Sequence, residues 1–174
     1  NTILKWAGVR FKNLMVTRSF SKAFGMAGMR LGYLGACSKI LKEFKKFYKA
    51  KEVNTFVKKI GINVLENYEY YQEQMKKVKE VRGWVVKELK KIGFETWESE
   101  TNFLLVKVNQ NRQNPDNFTQ YLKENGILIK NVSQPPYEIK DYVRISIGNE
   151  RNMKKLIEVT INFCKNKSQK NYAA

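Results

Sequence analysis

Histidine is absent from all 174 residues. That omission removes from this chain the commonest general acid/base at neutral pH, every Ser-His-Asp arrangement and every His-ligated metal site. Cysteine is nearly absent too. Cys37 and Cys164 are the only two, too few for a disulfide framework and without metal-ligand spacing, so a reducing, cytoplasmic compartment is the expectation. Three prolines and ten glycines do not make a linker-dominated chain. No run of about 18 apolar residues occurs, which leaves no candidate membrane-spanning helix. The start, Asn1-Thr2-Ile3-Leu4-Lys5-Trp6, has neither the tripartite organisation of a secretion signal nor an initiator methionine. The chain is therefore expected to belong to a longer protein.

What is present is a composition that folds. Hydrophobic residues make up 43% and aromatics 13%, enough for a sizeable core in one or two domains. A formal charge of +17 attracts polyanions, so a basic nucleic-acid-binding module is the rival reading from another class. The lysines, however, are spread over nearly the whole chain and fall mostly between apolar positions of helical stretches. A solvated surface accounts for them, and nucleic acid is not the expected partner.

Hydrophobic periodicity places the elements. Leu14–Val16 and Leu31–Ala36 read as strands. Ser38 is a plausible N-cap for a helix whose face carries Ile40, Leu41, Phe44, Phe47 and Tyr48, an expected core face. Val53–Leu65 reads as helix, although Gly61 weakens it by about 1 kcal/mol relative to alanine. Tyr71, Met75, Val78, Val81, Val85, Leu89 and Ile92 stripe a longer helix from about Tyr68, stopped by Gly93. At about 25 residues it would be about 37 Å long, enough to leave one domain and enter another. The expected boundary falls within it, giving residues 1–75 and 76–174. Beyond it, strands are expected at Phe94–Trp97, Asn102–Val108, Ile127–Lys130 and Tyr142–Ile147. A helix capped by Asp116 or Asn117 interrupts them, and one after Asn149 closes the chain, with a frayed tail from Asn166. Asn109–Asn117 is expected to be loop. That order describes a small α+β domain with its helices on one face of the sheet.

The most informative stretch is Thr17-Arg18-Ser19-Phe20-Ser21-Lys22-Ala23-Phe24-Gly25-Met26-Ala27-Gly28-Met29-Arg30-Leu31-Gly32-Tyr33. Two serines on alternate positions precede a lysine, two glycines follow, and an arginine stands eight residues beyond the lysine. On residue types alone this is either a basic turn between strands or a phosphate cradle of hydroxyls and a guanidinium beside a nucleophilic amine at the end of a buried strand.

The spacing Ser-x-Ser-Lys with Gly-x-x-Gly-x-Arg-x-Gly resembles the cofactor-lysine segment of class I/II aminotransferases of fold type I, which use pyridoxal 5'-phosphate (PLP), and within them the histidinol-phosphate aminotransferase branch. The resemblance continues, more weakly, to about Lys165. It implies a class α/β fold: the C-terminal part of the large three-layer α/β/α PLP-transferase domain, followed by a small α+β domain. It also implies transamination between a small amino acid or amine, phosphorylated or not, and a 2-oxo acid, in a cytoplasmic homodimer. Lys22 corresponds to the Schiff-base lysine, whose amine also moves the proton between substrate and cofactor. Ser19, Ser21 and Arg30 correspond to the groups that hold the cofactor phosphate. Gly25 and Gly28 let the backbone approach closely, or simply turn it.

Arg144, in Tyr142-Val143-Arg144-Ile145-Ser146-Ile147-Gly148, corresponds to the arginine that grips the substrate α-carboxylate; a structural ion pair with a local acid is the bland alternative. Asn102, in Thr101-Asn102-Phe103, resembles an asparagine that lines the substrate pocket. Lys130 stands where the histidinol-phosphate branch usually has an arginine for the substrate phosphate, and a lysine there offers a point charge instead of a fork. That departure leaves other phosphorylated amines open as substrates. The nearest alternative within the fold is a PLP-dependent decarboxylase of a phosphorylated amino acid. In the family the glycine-rich phosphate segment, the ring-stacking aromatic and the aspartate at the pyridinium nitrogen lie further upstream than this chain extends. The resemblance is thus to a C-terminal half, expected to be a weak catalyst or none alone.

Overall fold

The structure is a computed structural model describing residues 3–47, 53–108 and 114–170, with side chains through residue 165. It divides into two compact units, Asn1–Glu73 and Gln74–Ala174.

In the first unit a 3-10 turn at Ile3–Trp6 precedes strand β1, Val16–Ser19. β1 pairs antiparallel with β2, Gly32–Gly35, so that Val16 faces Gly35 and Ser19 faces Gly32. The strand expected at Leu14–Val16 is shifted toward the lysine, and it is not buried: Thr17, Arg18 and Ser19 are exposed. Their polar side chains suit a two-stranded ribbon with solvent on its faces. Glycine is required at position 32, where a Cβ would lie 2.7 Å from the Arg18 carbonyl oxygen.

Helix α1 covers Ser38–Phe47 and α2 covers Thr55–Glu66. Asn54 caps α2 by accepting a 2.8 Å hydrogen bond from the Phe56 N–H. The apolar face of α1 does not form a core among the described residues. None of its side chains is buried, and Phe47 is 85% exposed; Tyr48 lies outside the described residues. The core of this unit is Phe20, Met26 and Val64, with Phe24, Leu31, Ile60 and Tyr71 packed against them. Gly61 belongs to that contact. A Cβ on it would come within 2.6 Å of Leu31 Cδ2, so the residue that costs α2 propensity is also what lets the helix approach Leu31.

Helix α3, Tyr68–Lys91, begins in the first unit and ends in the second. The second unit is a four-stranded antiparallel sheet in the order β3-β4-β6-β5. Its strands are β3 (Glu95–Thr96), β4 (Phe103–Lys107), β5 (Lys130–Asn131) and β6 (Tyr142–Ser146). Helices α4 (Pro115–Glu124) and α5 (Glu150–Lys170) complete it. Burial alternates along both central strands, as period-2 side chains require. Leu104, Val106, Val143 and Ile145 point inward to Val85 and Leu89 of α3, Phe118 and Leu122 of α4, and Leu156 and Phe163 of α5, all in one cluster. The helices therefore cover one face, and the alternate residues Phe103, Leu105, Tyr142 and Arg144 share the other.

Three boundaries differ from expectation for local reasons. α4 starts earlier, because Asn114 accepts from the Asn117 N–H at 2.8 Å and Pro115 opens the helix, where its missing N–H costs nothing. β5 contains only Lys130 and Asn131. Gly126 (φ 75) and the Ile127 N–H bonded to the Leu122 carbonyl keep the preceding residues in helix-end geometry, and Leu128 is 82% exposed. α5 stays helical through Lys170. In its first turn Glu150 meets Lys154 at 2.6 Å, and that hydrogen bond and charge hold the Glu150 carboxyl below its ordinary range. The stabilisation from this pair is present at neutral pH and lost as pH falls through the lowered pKa.

Phe118 is fully buried between Phe94 and Phe163, with ring centroids 5.5 and 5.1 Å away. Phe118→Ala is expected to destabilise the second unit by about 3–5 kcal/mol, measured by urea denaturation.

Candidate active site

The lysine loop is built by closing it at its neck and plugging it from below. The Phe20 N–H donates to the Leu31 carbonyl at 3.0 Å, one step beyond the β1–β2 ladder, and the Met26 N–H donates back to the Phe20 carbonyl at 3.1 Å. Phe20 and Met26 are buried, and Phe24 packs its ring on Phe20, Tyr68 and Tyr71. With these side chains inward, Ser21 and Lys22 form the crest, and Lys22 is exposed. The Gly25 N–H donates to the Lys22 carbonyl at 3.1 Å with Gly25 at φ 66, a turn that favours glycine. Gly28 meets no such need, since a Cβ there would touch nothing within 4 Å.

Ser19 Oγ accepts from the Ser21 N–H at 3.0 Å, which ties the two serines to each other where the loop leaves β1. Arg30 has φ 50 and ψ 37, a left-handed conformation that costs a non-glycine residue about 1–2 kcal/mol. Strain of this kind, held by flanking structure, is a mark of functional sites. One of the arginine's donors reaches the Ala27 carbonyl at 3.3 Å. No acid compensates these charges locally: the first Asp or Glu in the whole sequence is Glu43. Among the described residues neither Lys22 nor Arg30 has an ion-pair partner. Two hydroxyls, a fork-shaped cation and an amine carried by one loop, with no carboxylate within 4.0 Å of either cation among the described residues, are the kinds of group that suit a phosphate dianion carrying an electrophilic carbon.

The second unit presents a separate cationic cluster on the open face of its sheet. Arg144, on β6, is directly opposite Leu105 on β4 and Lys130 on β5. The arginine is half-buried, and its guanidinium carbon lies 5.5 Å from the Phe103 ring centroid. The Lys130 amine lies 5.8 Å from the Tyr137 ring centroid. The bland alternative for Arg144, a local structural ion pair, is not what the structure shows: among the described residues no carboxylate lies within 4.0 Å of it. Asn102 is exposed immediately before β4, with its carbonyl accepting from the Ile147 N–H at 2.8 Å. Tyr142 shares the open face with Trp97, whose Nε1–H donates to the Tyr142 hydroxyl at 2.8 Å.

Sequence reasoning missed three participants. Phe103 was read as strand core, yet it faces outward under Arg144. The pairing of Lys130 with Arg144 depends on strand order, which periodicity does not reveal. Arg82 is buried in α3, 7% exposed, and a signal for it existed: it stands four residues after Val78 and three before Val85, on the apolar stripe.

Solved structures that share this fold include aminotransferases and decarboxylases. The histidinol-phosphate aminotransferase of Clostridium acetobutylicum superposes with a TM-score of 0.80 at 23% identity, over 94% of this chain and 48% of that one. That of Sinorhizobium meliloti, solved in complex with pyridoxal-5'-phosphate, gives 0.74 at 21% identity over 94% and 44%. The chain belongs to the class I and II aminotransferase family, whose pattern matches residues 6–159. Among curated relatives, the histidinol-phosphate aminotransferase of Christiangramia forsetii is 35% identical over 150 residues, 85% of this chain and 41% of that protein. The Microcystis aeruginosa enzyme of the same name is 28% identical over 148 residues, again 85% and 41%. The chain thus spans about 41% of the length of these relatives. No described helix is long and apolar enough to cross a membrane.

Arg30→Gly is expected to leave the stability of the first unit within about 1 kcal/mol of the parent, because relief of the left-handed strain offsets the extra entropy of glycine. The same change should weaken binding of inorganic phosphate at least tenfold, with stability read by chemical denaturation and binding by calorimetric titration.

Proposed function

We propose that this chain carries the cofactor-lysine segment and the small domain of a PLP-dependent aminotransferase of the histidinol-phosphate type. Residues 1–75 would be the C-terminal part of the large cofactor-binding domain and residues 76–174 the small domain. The observation that carries the reading is the lysine loop: Ser19, Ser21, Lys22 and Arg30 are carried by one loop, on a stretch of sequence with no acid to neutralise them. When bound, PLP supplies an electron sink for a bond broken at the amino-bearing carbon of the substrate.

The remaining work falls to side chains of this chain. The Ser19 and Ser21 hydroxyls and the Arg30 guanidinium hold the cofactor phosphate. Nζ of Lys22 would be the covalent anchor and, once freed, the base that moves a proton between the substrate carbon and the cofactor. Arg144, short of a carboxylate partner and seated over Phe103, offers two parallel N–H donors to a substrate α-carboxylate. Lys130, directly opposite on β5, meets a second anionic group on the substrate, and Asn102 lines the same pocket. The second anion fits a phosphorylated amino acid or amine as donor, with a 2-oxo acid as acceptor. The proposed setting is a cytoplasmic homodimer in amino-acid biosynthesis.

Titration with equimolar PLP is expected to produce an absorption band at about 410–430 nm, typical of a lysine-linked cofactor. Borohydride reduction should then fix the cofactor on the Lys22 peptide, and Lys22→Ala should lose the band. A band that survives in Lys22→Ala would sink the assignment; so would no band together with salt-sensitive nucleic-acid binding, the behaviour of a basic module. In a panel of phosphorylated amino donors with 2-oxoglutarate, a new oxo product supports transamination, whereas carbon dioxide release moves the reading to decarboxylation.

A further inference from the structure

Among the described residues of the second unit Arg82 is the most deeply placed charge, with 9% of its side chain exposed. A guanidinium so buried needs fixed partners. Its Nη1 donates to the Thr101 carbonyl at 2.6 Å, and its Nη2 lies 3.1 Å from Glu100 Oε2. The Glu100 side chain is 83% exposed and also lies 4.0 Å from the Lys79 amine. The ion pair is therefore one-sided, an acid in water reaching an arginine inside, and contributes little by itself. The bond to Thr101 is the firm one, since it joins a buried cation to a main-chain oxygen.

Beyond Thr101 the chain is tied at almost every polar atom. The Ser99 and Thr101 hydroxyls lie 2.7 and 3.1 Å from the Phe103 carbonyl and 2.9 Å from each other. The Phe103 N–H donates to the Thr101 hydroxyl at 3.3 Å, and the Ile147 N–H donates to the Asn102 carbonyl at 2.8 Å. A displacement at Thr101 is thus passed to Asn102 and Phe103. Phe103 is the aromatic ring that flanks Arg144. Arg144 has no acid to fix its direction among the described residues, so the ring is the contact that can orient it.

We propose that Arg82 is a positioning residue for the carboxylate site: it holds the 99–103 segment from within the unit, and through Phe103 it sets the direction of the Arg144 guanidinium. This rests on the reading of Arg144 as the carboxylate clamp and deepens it. The arginine acts at a distance, through a backbone carbonyl and one ring.

The test is a titration of the 15N-labelled chain with sodium glutarate as carboxylate probe, read at the Arg144 Nε–Hε cross-peak and assigned by its loss in Arg144→Lys. The parent protein is expected to shift saturably. Arg82→Met should bind glutarate at least tenfold more weakly, and Arg82→Lys, which keeps a donor toward Thr101, should recover most of that loss; a purely structural arginine would move the melting temperature without this split. Should Arg82→Met fail to fold, Thr101→Val decides, because it cuts the exposed hydroxyl link to Phe103 and leaves the buried arginine untouched. A threefold or greater weakening in Thr101→Val supports the proposal, and an unchanged affinity overturns it. Parental affinity in folded Arg82→Met overturns it as well. No saturable shift in the parent protein would remove the clamp reading itself, an outcome distinct from a shift that is indifferent to Arg82.

Discussion

The register of β6 between its two neighbours is the constraint on which the second unit depends. With Val143 opposite Val106 and Ile145 opposite Leu104, every inward residue meets the helices, and every alternate one is turned to the open face. A slip by one residue would bury Arg144 among Phe118, Leu156 and Val85 and expose Val143 and Ile145, since side chains alternate with period two. Burying that charge unpaired would cost several kcal/mol, so the register that builds the core is also the one that delivers the arginine. Core and site are two faces of one pairing, and neither can be changed without the other.

The first unit works under the opposite condition. Among the described residues, Phe20, Met26 and Val64 form its buried cluster, and two of those three lie inside the lysine loop. The loop is not an appendage on a core; to a large extent it is the core. Its neck bond between Phe20 and Leu31 and the Gly61 contact with Leu31 converge on the same residue, so α2 and the loop support each other. That economy explains why a left-handed Arg30 is tolerated. On one side Leu31 is held by packing and by its bond to the Phe20 N–H, and on the other the Met29 N–H is bonded to the Met26 carbonyl, so the backbone is tied on either side of the strained residue.

Much of this was legible in the sequence, and the failures have physical causes. α3, β4, β6 and α5 were read correctly because their apolar residues repeat at the period of their element over several turns or positions. The spacing from Ser19 to Gly32 was legible because it is a chemical pattern, and the family match supports what it implied. β5 misled, because Ile127, Leu128 and Ile129 look like strand while Gly126 holds them in the geometry of a helix end. Asn114 was overlooked as a cap since Pro115 was taken for a loop residue rather than for the first residue of a helix. The α1 face looked like core because amphipathicity says that a face is apolar, not that anything within the same unit covers it. Arg82 was passed over because a stripe is scanned for what is apolar, and its one charged member was counted as noise.

The charge of the chain looks different once partners are counted instead of residues. A few of its lysines stand beside acids: Lys46 near Glu43, Lys91 near Glu88, Lys107 near Glu95, Lys154 near Glu150, at 2.6 to 3.3 Å. Such exposed pairs each contribute little, but they show where the sequence places acids when neutralisation is wanted. At Lys22, Arg30, Lys130 and Arg144 it places none among the described residues. Lys130 and Arg144 are even set directly opposite each other across two strands, an arrangement that like charges oppose. Their heads are turned to separate rings, Lys130 toward Tyr137 and Arg144 toward Phe103, which eases the repulsion without neutralising either charge. The surplus of lysine therefore says little about partners.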